Sequence, residues 1–185
     1  MVFYKSEVAQ MLISVITISL AFSIGFRASF PMILLTIGMG FILHEVGHKL
    51  VAIRFGCKAF YRMWIPGLIL VFMFIPFGIF FAAPGAVYIF KHGLTRRENG
   101  LISLAGPVVN VILALIFFYL MFLPSLQELG MWGFKINLFL AMFNLLPVPP
   151  LDGSKVIGWS PFAWFVVIGT AAVLFFSPQI LLGLF

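Results

Sequence analysis

The 185-residue chain is 63% hydrophobic and 9% charged, with a mean hydropathy of +1.20. Soluble domains carry roughly 25% charged residues, so a chain this apolar cannot cover itself with a wet surface and must use lipid as its solvent. The net charge of +6 does not point to nucleic acid, because the basic residues flank apolar runs and form no dense patch.

In chain order, five apolar stretches are long enough to cross a bilayer as helices: Val8–Phe26, Pro31–Phe55, Gly100–Leu123, Ile136–Trp159 and Phe162–Leu184. The first has no small-residue cleavage pattern after it and reads as a retained helix, not a signal peptide. Cys57 is the lone cysteine, which rules out an intrachain disulfide and a four-cysteine zinc site. A sixth apolar stretch, Met63–Phe90, lies between the second and third spans. Pro66, Pro76 and Pro84 interrupt it, each removing a backbone donor. Its Ile, Val and Phe residues suit extended chain. A β-hairpin or re-entrant segment is expected there, covered by protein or by a water-filled cavity. With no repeat or linker, residues 1–185 read as a single membrane-embedded domain of the all-α integral membrane class.

Basic residues set the expected orientation. Lys49 and Arg54 at the end of the second span, with Lys58, Arg62, Lys91, Arg96 and Arg97 between it and the third, mark a side that should be cytoplasmic. Lys5 and Lys155 join them if Met63–Phe90 does not cross. The N-terminus is then inside and the C-terminus outside. A multi-pass protein of the cell membrane is expected.

The second span contains His44-Glu45-Val46-Gly47-His48. The H-E-x-x-H pattern on a helix sets two imidazoles one turn apart on one face, where both can grip one zinc ion with the Glu beside them as general base. Ionisable groups inside a membrane span are expensive and mark function. Polar groups pairing neighbouring helices would be the plainer explanation, but three such groups here share metal-binding spacing.

A catalytic zinc takes three protein ligands and leaves a fourth position open. Among the other acidic residues, Glu7 sits at the N-terminus. Glu98 and Glu128 sit among polar neighbours, where solvated charges are the plain reading. Asp152 alone ends an apolar run, Ile136–Leu151. At 1.5 Å per residue, His44 lies about 20 Å from Pro31 and Asp152 about 24 Å from Ile136. The two levels agree if both spans start outside. His92 lies in a basic loop and reads as a surface residue.

Three motifs in order then resemble the site-2 protease family. They are His44–His48; Ser103-Leu-Ala-Gly106-Pro107-Val-Val-Asn110; and Asn144-Leu-Leu-Pro147-Val-Pro149-Pro150-Leu-Asp152-Gly153. The resemblance implies a three-helix catalytic core, Asp152 as third zinc ligand, and cleavage of substrates within or beside their own membrane spans. It also implies that Asn144 helps bind substrate or stabilises the developing oxyanion. A helix-end cap is an equally good reading of Asn144 from the residues themselves.

The expected activity is that of a zinc metalloendopeptidase with one Zn²⁺ per chain and Glu45 as general base. Its partners would be transmembrane protein substrates and the lipid bilayer, with no nucleic acid. A substrate must be extended at the cut, so the segment around Pro147 and Pro149, or Met63–Phe90, is a candidate to pair with it as an added strand. Ser103 and Gly106 suit helix packing, and Asn110 suits a partner for a zinc ligand. A prenyl-protein-processing peptidase would lack the Asn144–Gly153 run. A helix-binding pseudoprotease would not need Glu45, and a metal transporter would need a longer polar pathway.

Overall fold

The computed structural model describes residues 4–78 and 84–181. The chain is mostly helical, with one small two-stranded sheet. Helix α1 (Lys5–Phe26) runs into α2 (Phe30–Ile33). From there a π-helical turn, Leu34–Gly38, leads without a break into α3 (Met39–Arg54). Strand β1 (Lys58–Met63), helix α4 (Ile65–Phe74) with a 3₁₀ turn at Ile75–Phe77, and strand β2 (Gly85–Phe90) follow. The remainder is α5 (Arg96–Leu120), α6 (Gln127–Asn144), α7 (Asp152–Trp159) and α8 (Pro161–Leu181).

Among the described residues, three helices are long and apolar enough to cross a membrane: Lys5–Phe26, the continuous Phe30–Arg54, and Arg96–Leu120. Ile65–Phe77 and Pro161–Ser177 are apolar but shorter. The expected span Ile136–Trp159 is not one helix. It divides into α6 and α7, because Pro147, Pro149 and Pro150 supply no backbone N–H. Residues 182–184 of the last expected span lie outside the described residues.

Met63–Phe90 also differs from expectation. Strands β1 and β2 pair antiparallel from Lys58 opposite Phe90 to Met63 opposite Gly85, so a hairpin is present, but it begins earlier, at Lys58. The apolar stretch between the strands is helix α4, not extended chain. Pro66 falls in the first turn of α4 and Pro76 in the first turn of the 3₁₀ segment. Proline is tolerated there because those N–H groups have no intrahelical acceptor. Residues 79–83 of this stretch lie outside the described residues. The chain enters the hairpin at Lys58 and leaves it at Phe90, and those two residues face one another across it.

The helices are fixed by a few local devices. Thr95 and Glu98 form a capping box at the start of α5, and Glu98 also pairs with Lys91. Glu98 and Glu128 both lie in the first turns of helices, where a carboxylate meets the positive end of the helix dipole. In the π turn the Thr36 hydroxyl donates back to the Met32 carbonyl at 3.0 Å. A Cβ on Gly38 would come within 2.9 Å of Val15 Cγ1, so α1 approaches this turn closely.

The core lies in two main clusters. One joins α1, the Phe30–Arg54 helix and the hairpin through Val15, Ile18, Phe22, Ile37 and Tyr61. The other joins α5, α6 and α8 through Ala114, Phe117, Phe134, Leu138 and Ala171. The outer faces remain apolar: Leu12, Ile16 and Leu20 on α1, Ile112 and Ile116 on α5, and Phe165 and Val173 on α8 are all exposed. Faces of this kind are stable against hydrocarbon, not against water.

Candidate metal centre

His44 and His48 lie on α3, and Asp152 is the first residue of α7. The His48 Nε2 atom is 2.9 Å from His44 Nε2. The Asp152 Oδ2 atom is 3.0 Å from the first and 3.4 Å from the second. Both imidazoles are buried. Among the described residues, this is the one group of three or more His, Cys, Asp or Glu side chains able to hold a metal ion.

The donor set fits zinc. Each Nδ1 faces a group outside the triangle: that of His44 donates to Asn110 Oδ1 at 2.6 Å, and that of His48 to the Ile102 carbonyl at 2.7 Å. With each Nδ1 turned to an oxygen, the two Nε2 atoms and a carboxylate oxygen face one another in an arrangement that suits a cation between them. The edges of a tetrahedron with zinc bonds of 2.0–2.1 Å are about 3.3 Å, close to the three separations seen.

The surroundings make room for these groups. A Cβ on Gly106 would lie 2.6 Å from His44 Nε2 and closer still to His48 Nε2, so α5 can pass the imidazoles only with glycine there. Gly106 thus touches the metal ligands directly, where helix packing alone was expected. Pro107 follows it inside α5 and removes one donor from that turn. Gly153 packs against the Leu145 carbonyl, and a Cβ at this position would overlap it. The Trp164 indole N–H donates to the same carbonyl at 2.6 Å. Together these contacts pin the turn that delivers Asp152. Gly100 lies against Trp159, which seats α7 on α5.

Glu45 is buried beside the triangle, and its Oε2 accepts the Val87 N–H at 2.9 Å. Val87 stands opposite Tyr61 in the hairpin. On the far side of the sheet, Tyr61 N–H donates to Glu7 and Met63 N–H to Gln10, both on α1. The outer edge of β1 is thus covered by α1, and the outer edge of β2 borders Glu45.

The remaining candidates are more dispersed. Asn144 is the last residue of α6, half-buried, and its amide donates to the Leu140 carbonyl at 2.9 Å. Pro147 and Pro149 are exposed in the turn before Asp152, and His92 is exposed as expected. Ser103 and Asn110 are buried on α5.

Two features escaped the sequence reading. Glu7, marked in the sequence only by its place at the N-terminus, is buried and paired with Lys49 Nζ at 2.5 Å. Asn137 is fully buried beside Asn110. Its position seven residues before Asn144, inside an apolar run, was a readable signal of a costly polar group.

Comparison with known proteins agrees with this geometry. Residues 32–128 match Peptidase family M50. The Methanocaldococcus jannaschii protein named "Putative zinc metalloprotease MJ0611" is 48% identical over 172 residues, 89% of this chain and 90% of its own length. A match of that extent necessarily includes both His44 and Asp152. The chain belongs to Peptidase family M50, the site-2 protease family.

As an M50 protein with three long apolar helices among the described residues it is a zinc metalloprotease and a membrane protein, and His44, His48 and Asp152 are a group able to hold the metal. A less similar relative is "Putative zinc metalloprotease YwhC" of Bacillus subtilis, 32% identical over 69% of this chain and 68% of its own length. Zinc metalloprotease MJ0392 of M. jannaschii is 27% identical over 63% of this chain and 30% of its own length. No solved structure matches the chain.

Proposed function

We propose that this chain hydrolyses peptide bonds within or beside transmembrane segments of other membrane proteins. The observation that carries the reading is the convergence of His44, His48 and Asp152 beside Glu45, partway along a helix long enough to span the bilayer. His44 is about 21 Å from the Phe30 end of that helix and about 15 Å from the Arg54 end. A substrate reaching this level presents a membrane-embedded peptide.

Zinc at this site supplies Lewis acidity toward a carbonyl and activation of water. Glu45 takes the water proton and returns it to the leaving amine. Asn144 donates to the oxyanion after turning from the Leu140 carbonyl it bonds in the free chain. The substrate pairs as an extended strand along the outer edge of β2, taking the Val87 N–H that Glu45 accepts in the free chain. The exposed turn around Pro147 and Pro149 flanks the same substrate on the Asp152 side.

Helices α6 and α8 complete five crossings in this reading. The basic residues near the hairpin, with Lys5, put the N-terminus in the cytoplasm, and the cell membrane is the site of action. The return of the hairpin to the end at which it began supports that topology, since Met63–Phe90 then makes no crossing.

The test is cleavage of a purified membrane substrate by wild type and by Glu45→Gln. Loss of about 10²–10⁴-fold in rate is expected, with zinc content retained. A Glu45→Gln protein that still cleaves would remove Glu45 from the chemistry.

A further inference from the structure

We propose that Asn137 on α6 is a positioning residue for the metal centre, acting through Asn110 to set which ring nitrogen of His44 carries the proton. The proposal rests on the reading of His44 as a zinc ligand. It concerns a helix that supplies none of the three ligands.

The chain of donors has one direction. Asn137 Nδ2 donates to the Gly133 carbonyl of its own helix at 2.8 Å, which turns Asn137 Oδ1 toward α5. Asn110 Nδ2 donates to that oxygen at 3.0 Å and to the Gly40 carbonyl at 3.1 Å. Both of its amide protons are then used. Asn110 Oδ1 is left facing His44 Nδ1 at 2.6 Å, where it can only accept. His44 must hold its proton on Nδ1, and its Nε2 lone pair is left facing His48 and Asp152.

Reversing Asn110 would bring its oxygen against two other acceptors, Gly40 O and Asn137 Oδ1. Asn137 is what makes the second of those positions an acceptor. Both amides are fully buried, and buried amides are tolerated where their polar atoms are matched. A Cβ on Gly40 would lie 2.7 Å from Asn137 Oδ1, so glycine at that position admits the relay between α3 and α6. His48 needs no such relay, because its Nδ1 faces the Ile102 main-chain carbonyl directly.

The test uses the full chain in detergent. Asn137→Leu removes the acceptor while keeping side-chain bulk. Zinc affinity measured by chelator competition should fall about 10-fold, the lower end of the effect of losing a direct partner of a ligating histidine, because Asn137 acts one step further out. The absorption bands of the Co²⁺-substituted protein should shift with it.

Unchanged zinc affinity and unchanged Co²⁺ bands in Asn137→Leu would overturn the proposal in favour of packing alone. Should Asn137→Leu fail to fold, ¹⁵N-histidine spectra of the metal-free wild type decide the matter. His44 protonated on Nδ1 is expected, and His44 protonated on Nε2 refutes the relay. Zinc retained by His44→Ala would instead strike down the ligand assignment itself.

Discussion

The Glu45 carboxylate and the Val87 backbone N–H are joined by a hydrogen bond of 2.9 Å. This contact ties the outer edge of a β-strand to a side chain one residue from a metal ligand. The opposite edge of the hairpin is already occupied by Glu7 and Gln10. In the proposed reaction an extended peptide reaches the His44–His48–Asp152 centre along the β2 edge and takes the Val87 N–H from Glu45.

Val87→Pro tests that alignment. The Val87 N–H points away from β1, so proline removes it without breaking the hairpin ladder. A hydrogen bond to a charged group contributes about 1.5–3 kcal/mol. We expect cleavage to fall at least about tenfold, while Val87→Ala stays near wild type. Equal activity of the two variants would remove β2 from the path of the substrate.

Much of the site was legible in the sequence because its spacing is a geometric necessity. His44 and His48 must be four apart to meet on one helix face, and Asp152 was marked by its place at the end of an apolar run. The hairpin was partly legible. Prolines flagged Met63–Phe90 as interrupted, but proline in the first turn of a helix looks the same in sequence as proline breaking one, and α4 was missed. The Glu7–Lys49 pair and the Val87 contact were not legible at all. Both join residues about forty positions apart, and Val87 acts through its backbone, which leaves no mark on residue identity.

Gly106→Ala should empty the metal site while leaving the fold intact. The added methyl carbon would sit 2.6 Å from His44 Nε2, well inside van der Waals contact, and would displace the imidazoles or the ion. Zinc content by atomic emission should drop to background, and activity should fall with it. Gly158→Ala is the control, since nothing lies within 4 Å of its added Cβ. That variant should gain up to about 1 kcal/mol from helix propensity and keep its zinc.

The Glu7–Lys49 pair should act as a structural tie between α1, α3 and β1. Both side chains are almost fully buried, and Glu7 also accepts the Tyr61 N–H. Removing one partner of a buried pair costs about 3–5 kcal/mol, because the other charge is left uncompensated. Glu7→Ala and Lys49→Ala should each lower the thermal unfolding temperature in detergent. Glu7→Gln with Lys49→Met, which removes both charges, should recover most of the loss. Additive losses in the double variant would mean that the two groups do not act as a pair.

Asn144 is the position where structure and chemistry separate. Its amide closes the last turn of α6 on the Leu140 carbonyl, and a purely structural role would make Asn144→Ala cost about 1 kcal/mol of stability or less. A donor to the oxyanion contributes about 10²–10³-fold to kcat. We expect Asn144→Ala to bind zinc normally, to unfold within a few degrees of wild type, and to lose about two orders of magnitude in kcat at little change in KM. A variant that loses stability but cleaves at the wild-type rate would assign Asn144 to the helix end alone, and the oxyanion would then need another donor near Asp152.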